Sequence, residues 1–201
     1  MITIIDYGLG NVQAFANIYK RLNIPARTAS CVDDLSDVGK LILPGVGAFD
    51  WAMSRFNASG MRERVDDLVL NQGTPVLGVC VGMQMMARSS DEGDLPGLGW
   101  VGGVVKRFED SRQTRLPHMG WNDVYPREGI SLFRELEHDA RFYFLHSYYF
   151  VPDNEQDMLS ETDYCGRYAS CVGTGNIFGA QFHPEKSHFW GIQLLKNFAE
   201  M

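Results

Sequence analysis

The sequence predicts an α/β fold: a central, mostly parallel sheet flanked by helices, with antiparallel strands added to it. In the first half, short apolar runs end in glycine-rich loops and alternate with stretches whose apolar residues recur at helical spacing. In the second half, strand-like segments joined by short turns replace that alternation. The 201 residues suit one domain with a full core, spanning 1–201.

The elements follow in order. Ile2–Ile5 is a buried strand that ends at Asp6-Tyr7-Gly8-Leu9-Gly10-Asn11. Val12, Phe15, Ala16, Tyr19 and Leu22 form the stripe of a helix packed on the sheet. Residues 40–43 are a second strand, stopped by Pro44-Gly45-Val46-Gly47. Residues 61–71 read as a helix closed by Gln72-Gly73, residues 75–79 as a third strand, and residues 82–88 as a helix directly after it. Strand patterns then cover 100–108, 122–125, 141–150, 167–172 and 176–182. The last helix is expected to bury Phe189, Ile192, Leu195 and Phe198 or Ala199. Residues 110–115 and 152–163 carry no usable motif.

Composition excludes several classes. Hydrophobic residues make up 45% and aromatic residues 12%, which is globular and argues against extended disorder. The net charge is −7 and the longest basic cluster is Lys106-Arg107, so no surface attracts a phosphate backbone. No apolar run approaches the roughly 20 residues that cross a bilayer. The start, MITIIDYGLGN, lacks a basic leader, and a cytoplasmic location is expected. There the four cysteines stay reduced. None sits in a C-x-x-C pair, so no metal is expected, and Cys31, Cys165 and Cys171 read as small buried hydrophobes.

Cys80 differs. Gly78-Val79-Cys80-Val81-Gly82 lies between an apolar strand and a helix and has the form G-x-C-x-G, a thiol counterpart of the serine nucleophile elbow. A sharp turn there strains the central residue and crowds its neighbours, which requires glycine two before and two after. The thiol would stand at the carboxyl end of the sheet and at a helix N-terminus, with the Val81 N–H free to donate to an oxyanion. Late in the chain, Gln181-Phe182-His183-Pro184-Glu185 follows another strand pattern. In an extended segment His183 and Glu185 would face the same side, and a carboxylate beside an imidazole fixes its tautomer and favours its charged form.

Together, LPGVGAF, GVCVGMQ, LPHMGWN, YFLHSYYF and QFHPEKSH resemble the triad-type, class I glutamine amidotransferases. Within them the chain is similar to the glutaminase subunits of imidazole glycerol phosphate synthase, along nearly its whole length from DYGLGN onward. The resemblance implies a class I glutamine amidotransferase-like fold, L-glutamine as substrate and no cofactor. It implies Cys80 as nucleophile, His183 as acid and base, and Glu185 as its orienter. Val46 and Gly47 would supply a second oxyanion donor beside Val81, while Gln84, His146, Ser147 and Tyr148 would hold glutamine. Asn11, Met119, Trp121, Tyr143 and Lys186 would line the interface with a partner.

Free ammonia is protonated in water, so it must be handed directly to an acceptor, and this chain is too short to hold one as well. The resemblance supplies a (β/α)8-barrel synthase subunit, in a heterodimer. The elbow departs from the family's more frequent Ile before and Leu after the cysteine, apolar changes that leave the chemistry intact. A paralogous group feeds ammonia to the amidation of a bacterial surface sugar, and the catalytic motifs do not separate the two destinations. A cysteine-elbow stress or chaperone-like protein need not carry H-P-E, and an idle interaction subunit would lack a triad member. All three members are present.

Overall fold

The computed structural model describes residues 1–109, 115–164 and 166–201. β1 (Ile2–Ile5), β2 (Ala26–Ala29), β3 (Lys40–Gly45) and β4 (Val76–Cys80) are parallel neighbours in the order β2-β1-β3-β4. Beyond β4 the sheet continues with β12 (Ile177–Ala180), also parallel. β11 (Arg167–Thr174), β10 (Met158–Asp163) and β7 (Tyr125–Pro126) then run antiparallel, completing the main path of a ten-stranded sheet. The remaining strands of that sheet, β5 (Gly103–Arg107) and β9 (Tyr148–Pro152), pair with each other, and β9 also joins β11. β6 (His118–Asp123) and β8 (Arg141–His146) form a separate antiparallel pair. The fold is the expected mixed α/β sheet with flanking helices.

β1 and β4 are buried throughout, as their unbroken apolar runs require of strands covered on both faces. Asn11 caps α1 (Val12–Arg21) by accepting the Ala14 N–H at 3.2 Å, and Lys20 and Arg21 complement the dipole in its last turn. Phe15, Ile18 and Tyr19 bury its inner face, and the Tyr19 hydroxyl donates to the Leu195 carbonyl of α5 (His188–Glu200) at 3.3 Å. No helix among the described residues is long and apolar enough to cross a membrane.

The element boundaries need correction in several places. β2 and α2 (Phe49–Ala58) were not anticipated, nor was β10 within 152–163. The helix expected over 61–71 is α3 (Arg62–Asp66) followed by a wider π turn at Asp67–Asn71. The helix after the elbow, α4 (Val81–Gln84), stops far short of residue 88, because Met85 to Ala87 turn away and their backbones bond to Leu98, Gly99 and Val101. The pattern over 100–108 narrows to β5, and that around 122–125 divides into β6 and β7. The run over 141–150 breaks at Ser147, where the chain leaves the small sheet for the large one.

On α5, Leu195 and Phe198 are buried as expected and Ile192 and Ala199 pack partly against the core, but Phe189 is 65% exposed. Repeated three-residue steps drift around a helix, whereas Gly191, Leu194, Leu195 and Phe198 mix steps of three and four and stay inward. Cys31 is exposed and not buried; it precedes the 3-10 turn Val32–Leu35, with its sulfur 3.4 Å from Asp34 Oδ2. Cys171 is buried as expected, and Cys165 lies outside the described residues.

Candidate active site

Three neighbouring parallel strands end at one edge of the sheet, and each delivers a different part of the site. Register pairs Gly45 with Cys80 and Ala180 with Val79, so β3, β4 and β12 end level with one another. Cys80 sits on the bend after β4 with φ 56° and ψ −114°, a left-handed conformation that costs a non-glycine residue about 1–3 kcal/mol. The packing holds it there. A Cβ on Gly78 would lie 2.7 Å from the Gly82 carbonyl oxygen, one on Gly82 would lie 2.0 Å from the Leu43 carbonyl oxygen, and one on Gly45 would lie 2.3 Å from Gly82 N. The expected reason for the glycines is thus found in backbone-to-backbone contact.

The α4 that follows is one short turn. The expected helix dipole beside the thiol therefore shrinks. His183 lines the same cavity as Cys80. Its Nδ1 lies 2.9 Å from Glu185 Oε1, with both side chains almost fully buried. Burial alone would lower the imidazole pKa, but the hydrogen bonds to Cys80 and Glu185, with their charges, push it up to about 10. The second carboxylate oxygen of Glu185 is buried without a partner.

The expected reason for the His183–Glu185 meeting was not the operative one. His183 is extended, but Glu185 lies in the 3-10 turn Pro184–Lys186, which folds the carboxylate back onto the ring. The His183 backbone is pinned between strands and turn: its N–H donates to the Tyr143 carbonyl at 2.9 Å, and its carbonyl accepts from the Ser187 hydroxyl at 2.6 Å.

A cavity of about 280 Å³ lies over Cys80 and is lined by Val46, Gly47, Gln84, His146, Ser147 and Tyr148, among others. The structure thus brings these expected residues together around the thiol. Within the Val46–Gly47 loop the two glycines differ: Gly45 is jammed against Gly82, whereas Gly47, at φ 86°, has nothing within 4 Å of a Cβ position. Gln84 is buried, and its amide donates to the Tyr148 carbonyl at 3.2 Å and to Gln181 Oε1 at 3.0 Å.

Two lining or adjoining groups went unread in the sequence. Glu92 lines the cavity, accepts the Phe49 N–H at 2.9 Å, and has its pKa raised by burial. Gln181 donates toward Cys80 Sγ at 3.8 Å. An isolated acid in a loop carries no motif, though Gln181 stood two residues before His183, on a strand pattern that brings alternate residues to one side.

Of the residues expected at an interface, Met119, Trp121, Tyr143 and Lys186 share a face. Register pairs Trp121 with Tyr143, Lys186 Nζ stands 5.9 Å from the Tyr143 ring centre, and Trp121 stacks on His188 at 5.5 Å. Met119 is 62% and Trp121 40% exposed. Asn11 instead spends its side chain on capping α1.

Residues 3–201 match the family described as Glutamine amidotransferase class-I. The chain is 56% identical, over the full length of both, to "Imidazole glycerol phosphate synthase subunit HisH" of Bdellovibrio bacteriovorus, and 47% identical, again over both full lengths, to the protein of that name in Leptospira interrogans. The crystal structure of a glutamine amidotransferase superposes with a TM-score of 0.78 at 21% identity, covering 99% of this chain and 97% of the other, a likeness of fold. The chain belongs to the class-I glutamine amidotransferase family.

Proposed function

We propose that this chain is the glutaminase subunit of an imidazole glycerol phosphate synthase, hydrolysing L-glutamine to glutamate and ammonia in histidine biosynthesis in the cytoplasm. The observation that carries the reading is the buried His183–Glu185 pair at 2.9 Å, holding a charged imidazolium beside Cys80. A cysteine attacks through its sulfur, and an imidazole held by a carboxylate is the partner that can take and return its proton. Relatives named as subunits of that synthase, matched over their full lengths, support the pathway.

In the proposed reaction, Cys80 Sγ bonds to the side-chain carbonyl carbon of glutamine, and the electron pair moves to the carbonyl oxygen. The N–H of Val81 and an N–H from Val46 or Gly47 hold that oxyanion. As it collapses, the C–N bond breaks and His183 gives its proton to the departing ammonia, leaving a thioester. Neutral His183 then takes a proton from water, which attacks the thioester, and Cys80 leaves as thiolate with glutamate. Glu185 holds the ring throughout. Gln84 and the Ser147–Tyr148 backbone position the substrate, and the Glu92 carboxylate offers a countercharge to its ammonium group. One oxyanion donor is worth about 3 kcal/mol, so rotation of the peptide at unhindered Gly47 is enough to gate turnover.

The exposed Met119, Trp121, Tyr143 and Lys186 face, with Asn11, is proposed to seat a (β/α)8-barrel synthase subunit that receives the ammonia. A diazoketone analogue of glutamine tests the site by mass spectrometry. Labelling confined to Cys80, and ammonia release that rises when the barrel subunit binds, are the expected results. Labelling of Cys31 instead, or full turnover indifferent to the barrel, would overturn the reading.

A further inference from the structure

From His146 in the cavity wall inward lies a second group of buried rings that the proposed reaction does not use. His118 on β6 faces His146 at the end of β8 in the pair's register, and Tyr168 reaches them from β11 in the large sheet. His118 Nδ1 is 3.1 Å from His146 Nε2, and the Tyr168 hydroxyl is 3.2 Å from both nitrogens. His146 Nδ1 is 2.7 Å from the Tyr148 carbonyl, the same carbonyl that accepts from Gln84. Asn122 Nδ2 is 3.2 Å from His118 Nε2 and also donates to the Asp163 carbonyl at 2.9 Å.

For neutral rings, a single proton assignment fits these contacts. A carbonyl only accepts, so His146 must carry its proton on Nδ1, and its Nε2 is then a bare acceptor. The nitrogen of His118 facing it must therefore be the protonated one. That leaves His118 Nε2 to accept from Asn122, whose amide orientation is set by donation to Asp163. The Tyr168 hydroxyl fits between, accepting from His118 and donating to His146. Both imidazoles are held neutral by burial, at about 4 for His118 and about 3 for His146.

We infer that His118 and Tyr168 are positioning residues that fix His146 as its Nδ1–H tautomer and, through it, the Ser147–Tyr148 bend against which glutamine is held. The bend lies where the chain passes from one sheet to the other: the Ser147 carbonyl accepts from the Phe108 N–H at 3.1 Å and Tyr148 opposes Arg107 at the very start of β9, while the Tyr148 carbonyl turns to side-chain donors. His146 ties it by donating two residues ahead. Were His146 to carry its proton on Nε2, the Tyr148 carbonyl would lose that donor and two protonated nitrogens would confront each other. This inference rests on the glutaminase reading for its substrate, but the proton assignment stands without it.

Histidine-selective 15N NMR of the full chain reads the tautomers directly among the five histidines. Protonation of Nδ1 on both His118 and His146 is expected, and an Nε2 proton on either overturns the inference. Saturation kinetics of Cys80 labelling by the diazoketone analogue then separate binding from reaction. Removing both donors with His118→Leu and Tyr168→Phe should weaken the half-saturating concentration about tenfold, the loss expected when a buried acceptor goes unpaired, with far less effect on the limiting rate. His118→Asn, whose amide nitrogen occupies roughly the place of Nδ1, should recover most of it. Tyr168→Phe alone, close to isosteric, should show a smaller shift of the same kind. Unchanged half-saturation in the double variant, or a loss confined to the limiting rate, overturns the inference. A wild-type chain that is never labelled at Cys80 sinks the glutaminase reading instead, leaving the tautomers to decide this one.

Discussion

His183 and His146 border one cavity, with His118 directly behind His146, yet their surroundings drive them in opposite directions. His183 is buried against a carboxylate and a thiol, and these raise it to about 10 despite desolvation. His118 and His146 gain no opposing charge among the described residues: desolvation, opposed at His146 by its bond to the Tyr148 carbonyl and reinforced there by repulsion from His118 and His183, holds them at about 4 and about 3. Burial is common to both regions; the difference lies in which partners burial leaves beside the ring. One side of the cavity is thereby equipped to exchange a proton, and the other to keep its protons in place.

The largest expected effect removes the exchanging side. His183→Asn should lower glutamine turnover at least about a thousandfold, measured as ammonia release in the presence of the synthase subunit, because neither the acid nor the base role survives. Glu185→Gln keeps the shape but withdraws the charge, and should lower turnover at least about a hundredfold. A loss no larger than that from His118→Asn would break the distinction between the two histidine environments. Trp121→Ala acts outside both and should weaken binding of the synthase subunit by about 2 kcal/mol, read by calorimetry, with Cys80 labelling unaffected.

A separate readout is stability against pH. Below pH 6.5 the unfolded chain takes up protons that buried His118 and His146 refuse. Their contribution is therefore present above 6.5 and lost as pH falls toward about 4. His118→Asn should flatten this acid limb in urea unfolding. His183 is raised instead, so its contribution is full below 6.5 and lost as pH rises through about 10, and His183→Asn should flatten the alkaline limb. The same limb changing in both variants would erase the comparison.

How much of this was legible in the sequence depended on whether local pattern or long-range contact fixed the feature. β1, β3 and β4 were readable because strands buried on both faces leave continuous apolar runs, and the Cys80 elbow because backbone crowding demands glycine at fixed offsets. α2 buries Phe49, Ala52, Met53 and Phe56 at regular helical spacing, a pattern that was present but unread, with no capping side chain at Ala48 to announce it. β2 has a single fully buried residue and no pattern to find. The break at Ser147 was invisible, since YFLHSYYF is uniformly strand-like and only the pairing partners change. In the site, His183 and Glu185 were readable as neighbours in sequence, although a turn and not a strand joins them. Glu92, and the meeting of His118 with Tyr168, depend on residues far apart in the chain and leave no local trace.

The level ends of β3, β4 and β12 also bear on how errors are excluded. Gly45 opposes Cys80, and Ala180 opposes Val79, so the loop and the sulfur inherit their relative heights from backbone ladders, and the imidazole from the same ladder and the backbone bonds just beyond it. Slipping any one ladder by a residue would point alternate side chains to the wrong layer and drive a buried glycine face into its neighbour. A chain assembled with such a slip would lose its core together with its chemistry. Synthesis thus yields molecules that are either competent or discarded, with few that fold soundly and work badly.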